Sequence, residues 1–261
     1  MSSRFRVPKL TSPNVVIRLA LSSDEVEAAN WLVYRNYINL YWPEDQDAFR
    51  RNKYLALPTR HAFVAVDAGR VIGTMSIIKD SPAGLPSDTF RPGILHRYRQ
   101  DKERLGEVTL FAMDQAIQHP TNLILFFYKF FLQYSFYYLN LDRLVATCQP
   151  KHADFYEDML CFEKLTLPAP YAYASNLKCQ FIALPLLRAH LHLNNRYPGV
   201  DKSGKNFYRF LYVDKHPNVK FPDHRLRRRS PEMNWLAVAR RHDTVYHNIR
   251  YLRQPLHQAR A

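Results

Sequence analysis

Residues 104–113 read RLGEVTLFAM, residues 114–122 read DQAIQHPTN, and residues 122–141 read NLILFFYKFFLQYSFYYLNL. The first stretch has the composition of a buried strand carrying one carboxylate, Glu107. The second is a polar loop, and its Pro120 suits the first turn of a helix. The third is an aromatic helix about long enough to span a bilayer. Lys129 sits near its centre, however, and Gln133 follows one turn later. A charge at mid-membrane costs about 2.5–3.5 kcal/mol. A buried helix of a soluble protein is therefore expected, with peripheral membrane contact left open.

Working outward, residues 15–19 read as a strand. Ser22, Ser23, Asp24 and Glu25 then form a helix start, a cap followed by acids in the first turn. Ala28, Ala29, Leu32, Val33 and Tyr37 give that helix an apolar stripe. Residues 41–60 are polar and prolyl, so a loop with some short helix is expected. Residues 62–66 and 71–78 alternate as strands around the turn Asp67-Ala68-Gly69-Arg70, which makes a hairpin. Residues 80–92 form a loop, and residues 94–104 are partly helical. Past the aromatic helix, residues 143–147 read as a strand, 150–160 as a short helix, and 162–167 and 179–184 as a last strand pair. The order β, α, ββ, loop, β, α, β, α, ββ predicts an α/β fold, a mixed central sheet with helices on both faces.

The chain has 261 residues, 47% of them hydrophobic, which is enough for one sizeable core. Its net charge of +14 is uneven: residues 188–261 hold 16 of the 37 Lys and Arg against 5 acids. We therefore divide it into a folded domain, residues 1–187, and a basic C-terminal extension, residues 188–261. The extension has short apolar patches at 207–213 and 235–238 and its densest basic cluster at 225–229. Basic surface attracts acidic partners. Cys148, Cys161 and Cys179 form no C-x-x-C pair, so neither a disulfide framework nor a zinc site is expected. With no secretory signal in residues 1–15, a reducing, cytoplasmic compartment is expected.

The element order resembles the GNAT acyltransferase fold. The residues resemble one branch of it, the N-acyl amino acid synthases related to acyl-homoserine lactone autoinducer synthases. Tyr34-Arg35-Asn36-Tyr37 is similar to the family's arginine-bearing first helix, and Val71-Ile72-Gly73-Thr74-Met75-Ser76 to its hairpin strand. Asp80-Ser81-Pro82-Ala83-Gly84-Leu85-Pro86 is similar to the loop that follows. Gly106-Glu107-Val108-Thr109 resembles its glutamate-bearing strand. Pro150-Lys151-His152, Phe155-Tyr156 and Cys161-Phe162-Glu163 resemble its last series, with Cys161 where such proteins usually carry glycine. The resemblance covers residues 15–187. It implies transfer of a fatty acyl group from the phosphopantetheine thioester of acyl carrier protein to a small amine such as an amino acid, with no permanently bound cofactor.

Amide formation needs a neutral amine, a polarised carbonyl and a dry acyl site. Glu107 is the candidate general base, because a carboxylate on an apolar strand needs work or a partner. His152, at a helix start, is the second catalytic candidate. Arg35 is a candidate for binding the acceptor carboxylate bidentately. Tyr156, one turn after His152, could meet the leaving sulfur. Phe126, Phe127, Phe130, Phe131 and Tyr134 offer either plain core or the wall of an acyl tunnel, in which each buried CH₂ contributes about 0.8 kcal/mol. Residues 114–122 lack the glycines that would bring backbone amides onto a pyrophosphate. That disfavours CoA, although acyl-CoA stays open as a donor, and a carrier protein would suit a basic docking surface. Two other readings compete: an acetyl-CoA-dependent GNAT enzyme, and a noncatalytic scaffold binding anionic membrane or nucleic acid through the extension. Nucleic acid is the partner least expected.

Overall fold

The computed structural model describes residues 8–10, 12–41, 52–118, 120–171, 174, 176–197 and 206–223. The basic cluster at 225–229 and the apolar patch at 235–238 lie outside the described residues.

The strands are β1 (Val16–Leu19), β2 (Arg60–Asp67), β3 (Arg70–Lys79), β4 (Leu105–Met113), β5 (Arg143–Cys148), β6 (Glu163–Lys164), β7 (Ala169–Tyr171) and β8 (Leu177–Pro185). They lie in the order β1-β2-β3-β4-β5-β8-β6, with β7 also on β8. Every pairing is antiparallel except β4 with β5. That parallel pair is joined by the crossover that carries the aromatic helix, as parallel neighbours require.

One face of the sheet is covered by α1 (Ser23–Tyr41) and by the chain between β3 and β4, which holds the short helices α2 (Ser87–Phe90) and α3 (His96–Gln100). As expected, α1 starts on a cap: Ser22 Oγ accepts from the Glu25 N–H at 3.2 Å. The other face is covered by α4 (Pro120–Gln133), α5 (Pro150–Leu160) and α6 (Leu186–Arg196). The aromatic helix does not run uniformly. It changes to a π-helical turn over Tyr134–Tyr138. Its apolar face is buried almost throughout, with Phe126, Phe127, Phe130, Phe131 and Leu132 at 0–1% exposure. Among the described residues, no helix is long and apolar enough to cross a membrane.

Residues 206–223 pack on this second face, although they fall in the basic extension. Phe207, Phe210, Leu211 and Tyr212 are buried, and Arg209–Val213 forms a second π-helical turn. Lys129, 1% exposed within α4, donates to the carbonyls of Phe210 and Asp214. Gln133 Nε2 donates to Leu211 O at 2.6 Å. Lys129 and Gln133 of the aromatic helix thus hold carbonyls that a helix end leaves open. Beyond the turn, Ile17 N donates to Asn218 O and Lys220 N to Ile17 O, which pairs residues 218–220 with the outer edge of β1.

Cys161 ends α5 in the left-handed region, at φ 65°, with its N–H on Glu157 O. A residue with a Cβ pays about 1–2 kcal/mol there, which glycine does not. Cys161→Gly is therefore expected to raise stability by up to about 1 kcal/mol, after glycine's larger unfolded-state entropy is subtracted. Thermal unfolding beside Cys161→Ala, which keeps the strain, checks this.

Candidate active site

The site arises where two strands part. β4 and β5 are paired from Leu105↔Arg143 to Val108↔Ala146 and no further. Beyond that point β4 continues along β3 to Met113, and β5 continues along β8 to Cys148. The separation coincides with a bulge in β4. Register slips between Ser76↔Thr109 and Thr74↔Ala112, so Leu110 and Phe111 oppose the single residue Met75. Leu110 takes φ 54°, uncommon for a bulky side chain. Tyr37 Oη donates to Phe111 O at 2.7 Å, satisfying a carbonyl turned out of the ladder. Bulges bend a strand and increase its twist, which accounts for the parting.

The gap opens into a cavity of about 190 Å³. Its walls come from both faces of the sheet. Asn52, Tyr54, Thr89 and Glu107 line it on the side of α2, while Met75, Tyr128, Phe131, Phe162 and Ile182 line it on the side of α4. The lining is more polar on the side of α2 and mainly aromatic and aliphatic on the side of α4.

Glu107 is 2% exposed. It pairs with Ile78 across β3 and with Val145 across β5, so its carboxylate faces apolar neighbours in the sheet. Gly106 before it leaves the opposite face bare: a Cβ there would lie 2.6 Å from Leu141 Cδ1. The hydrogen bond to the Glu107 carboxylate comes from the Ser87 N–H, 2.8 Å from Oε2. Glu107 forms no ion pair among the described residues, and Arg104 is taken by Asp142 at 2.6 Å. Burial pushes the Glu107 carboxyl up to about 8, and nearby Asp88 and Asp80 push the same way, against the Ser87 N–H.

Among the described residues, the other buried charge on this face is Arg60, opposite Ile78. Its guanidinium reaches Ser76 Oγ (3.0 Å), Asn30 Oδ1 (2.8 Å) and Leu55 O (2.9 Å). Burial lowers it to about 10, so it stays charged at neutral pH. It ties β3, α1 and the turn at 53–55 into one support for Tyr54 and Asn52.

The cavity brings together Glu107, Tyr156 and Phe131 of the residues expected from sequence. The others stand elsewhere. Phe126, Phe127 and Phe130 are buried in the main core. Tyr134 is there too, its hydroxyl 3.1 Å from His61 Nδ1, where burial lowers the imidazole to about 4. Arg35 and His152 are exposed and outside the cavity wall. Partial burial and Lys151 lower His152. Sequence reasoning missed Ser87, Tyr37 and Tyr128. Ser87 opens a short helix after Pro86, a visible start signal, but nothing in the sequence ties its N–H to Glu107.

The model of the family described as N-acyl amino acid synthase FeeM matches residues 28–185, well over half of the chain. The chain belongs to the FeeM family of N-acyl amino acid synthases. The solved structure of FeeM, an N-acyl amino acid synthase from uncultured soil microbes, is 26% identical, covers 72% of this chain and 98% of its own, and superposes with a TM-score of 0.62. Two more distant likenesses are spermidine N-acetyltransferase from Vibrio cholerae in complex with CoA and spermine (17% identity, 68% and 99% coverage, TM-score 0.46) and the AHL synthase LasI (14%, 66% and 90%, 0.49). Among curated proteins, none matches the chain. As a FeeM-family protein, this chain is an acyltransferase. The FeeM match ends at residue 185, so the packing of residues 206–223 on α4 lies beyond it.

Proposed function

We propose that this chain joins a fatty acyl group, delivered as the phosphopantetheine thioester of acyl carrier protein, to the amine of an amino acid or similar small acceptor, with Glu107 as general base. The observation that carries this reading is a buried carboxylate without an ion-pair partner among the described residues, in the wall of a cavity that turns from polar to apolar. The acceptor amine meets the polar side. Its nitrogen attacks the thioester carbonyl, the C–N bond forms, and Glu107 takes the proton that nitrogen loses. The C–S bond breaks, and the thiol leaves with a proton. Tyr156, in the same wall, carries a phenolic proton suited to that sulfur. Backbone N–H groups at the parted edges of β4 and β5 suit the oxyanion. The acyl chain fits the apolar end, between Phe131, Phe162 and Ile182.

The carrier-protein donor rests on the loop before α4. Its Ala116 N–H is bonded to Asp114 Oδ1 and its Ile117 N–H to Asp114 O. Those amides are engaged, and a carboxylate stands among them, which is unfavourable for a pyrophosphate. The free thiols Cys148, Cys161 and Cys179 support a cytoplasmic setting.

The test is mass spectrometry of lipid extracts from cells expressing the protein beside cells expressing Glu107→Gln. New acyl-amine masses in the first and not the second are expected, and they identify chain and acceptor together. Equal amounts in both remove Glu107 from the chemistry. With purified protein, acyl-CoA used as well as the acyl carrier protein thioester returns the donor to CoA.

A further inference from the structure

Glu107 receives a hydrogen bond from the backbone of a loop. Lys53, Tyr54 and Tyr171 each donate to a carbonyl of that loop, and Arg99 ties together its two aspartates. Arg99, on α3, spans two aspartates. Its Nε and Nη2 donate to Asp80 at 2.7 and 2.9 Å, and its Nη1 and Nη2 donate to Asp88 at 2.8 and 2.7 Å. Asp80 closes β3, its own N–H on Leu105 O of β4. Asp88 lies in α2, and its Oδ2 also accepts from Leu85 N at 2.8 Å. The approach needs glycine at 84: φ is 73°, and a Cβ there would lie 2.9 Å from Asp88 Oδ2. Ser87 stands between these anchors, and its N–H points at Glu107 Oε2.

We propose that Arg99 is a positioning residue for Glu107: by clamping Asp80 to Asp88 it seats α2 so that the Ser87 N–H meets the Glu107 carboxylate. The proposal rests on the reading of Glu107 as base. Arg99 does not itself line the cavity. Its bidentate fork is a geometry that a lysine cannot copy.

Among the described residues, the charged and titratable groups around Glu107 are Asp80 and Asp88 in its covering loop, Arg99 on α3, Arg60 on β2, Lys53 and Tyr54 at the turn before β2, Tyr37 on α1 and Tyr171 on β7. Asp80 and Asp88 oppose ionisation of Glu107, and Arg99 balances both. Removing the clamp loosens the Ser87 donor and leaves two negative charges unbalanced. Both effects hold the proton on Glu107. Removing Asp88's charge opens the clamp as well but takes away one of the two opposing charges, so its shift is the smaller one.

The experiment is the pH dependence of kcat/KM for acyl transfer in wild type, Arg99→Met, Arg99→Lys and Asp88→Asn, beside Glu107→Gln. Arg99→Met is expected to move the acid limb up by about one pH unit, near tenfold in rate at pH 7, with activity recovering at pH 9.5. Arg99→Lys gives a smaller shift in the same direction, and it carries the test if the methionine variant does not fold. Asp88→Asn shifts the limb less than Arg99→Met. A purely structural role lowers activity alike at every pH and moves no limb. Parallel loss in the Arg99 variants, or an unmoved limb, overturns the proposal. If Glu107→Gln keeps wild-type activity, the base assignment falls first. If it is inactive while the limbs stay fixed, the clamp alone falls.

Discussion

Glu107→Gln is expected to lower acyl transfer by about 10²–10⁴-fold, the range general-base catalysis supplies, and to make the protein more stable. The two effects share one cause. Glutamine keeps an oxygen for the Ser87 N–H and nearly the same volume, so the packing against Ile78 and Val145 survives. It cannot take a proton from an amine. The ionised wild-type carboxylate is the costly species in this site, since burial holds it at about 8 against the ordinary 4.5. The sign follows from linkage. With the folded value raised, the wild type's protonated carboxyl contributes stability below pH 4.5, and that contribution is lost as pH rises through about 8. Glutamine loses nothing over that window. The gain of the variant over wild type in urea midpoint therefore grows from pH 4.5 to 8 and then levels. Wild-type kcat/KM should rise with pH through about 8, since about a tenth of Glu107 is ionised at pH 7. An active Glu107→Gln, or a variant less stable than wild type at pH 8, contradicts this account.

A chain ended at residue 205 is expected not to fold, whereas the full-length chain unfolds in one cooperative transition. Residues 206–223 bury Phe207, Phe210, Leu211, Tyr212 and Val219. Phe210 meets Phe126 edge-on at 5.3 Å between centroids, and Phe221 stacks on Phe130 at 4.7 Å. Burying a large apolar side chain contributes about 1.5–3 kcal/mol, so losing this group removes an amount comparable with the about 5–15 kcal/mol that stabilises a whole domain. Lys129 adds to the requirement. Without Phe210 O and Asp214 O its ammonium would face the aromatic core of α4 unpaired. Lys129→Met in the full-length chain tests that part separately, with an expected loss of about 2–3 kcal/mol from carbonyls left without a donor. Urea unfolding and limited proteolysis at residues 206–223 measure both.

Most of the fold was legible because periodicity reports on one element at a time. The strands around 62–66, 71–78 and 143–147 and the helix over 150–160 stand where alternation and proline placed them. Three-residue β7 was not legible, since three residues carry no period. The site was legible at Glu107, where a lone carboxylate contradicts an apolar strand. It was not legible at Ser87, whose contribution is a backbone N–H that every residue but proline owns. Nor could the aromatic helix be divided. Phe131 lines the cavity while Phe126, Phe127 and Phe130 fill core, a difference of rotation that an all-round apolar pattern conceals. Residues 207–213 carried the expectation of a short apolar patch in the basic extension. Their burial depends on Lys129 and Gln133, some eighty positions away.

The pairing of residues 218–220 with β1 also orders events during synthesis. β1 is among the first strands a ribosome releases, and its outer edge stays open until residue 220 emerges. Nearly the whole sheet can form beforehand with one bare edge, the kind of template on which nascent chains join wrongly. Residues 13–17 and 218–220, near the two ends of the described residues, are then brought together at one strand. A circular permutant joining them across that strand, and opened in a surface turn such as 67–70, would complete the edge early, and its yield of soluble protein should rise.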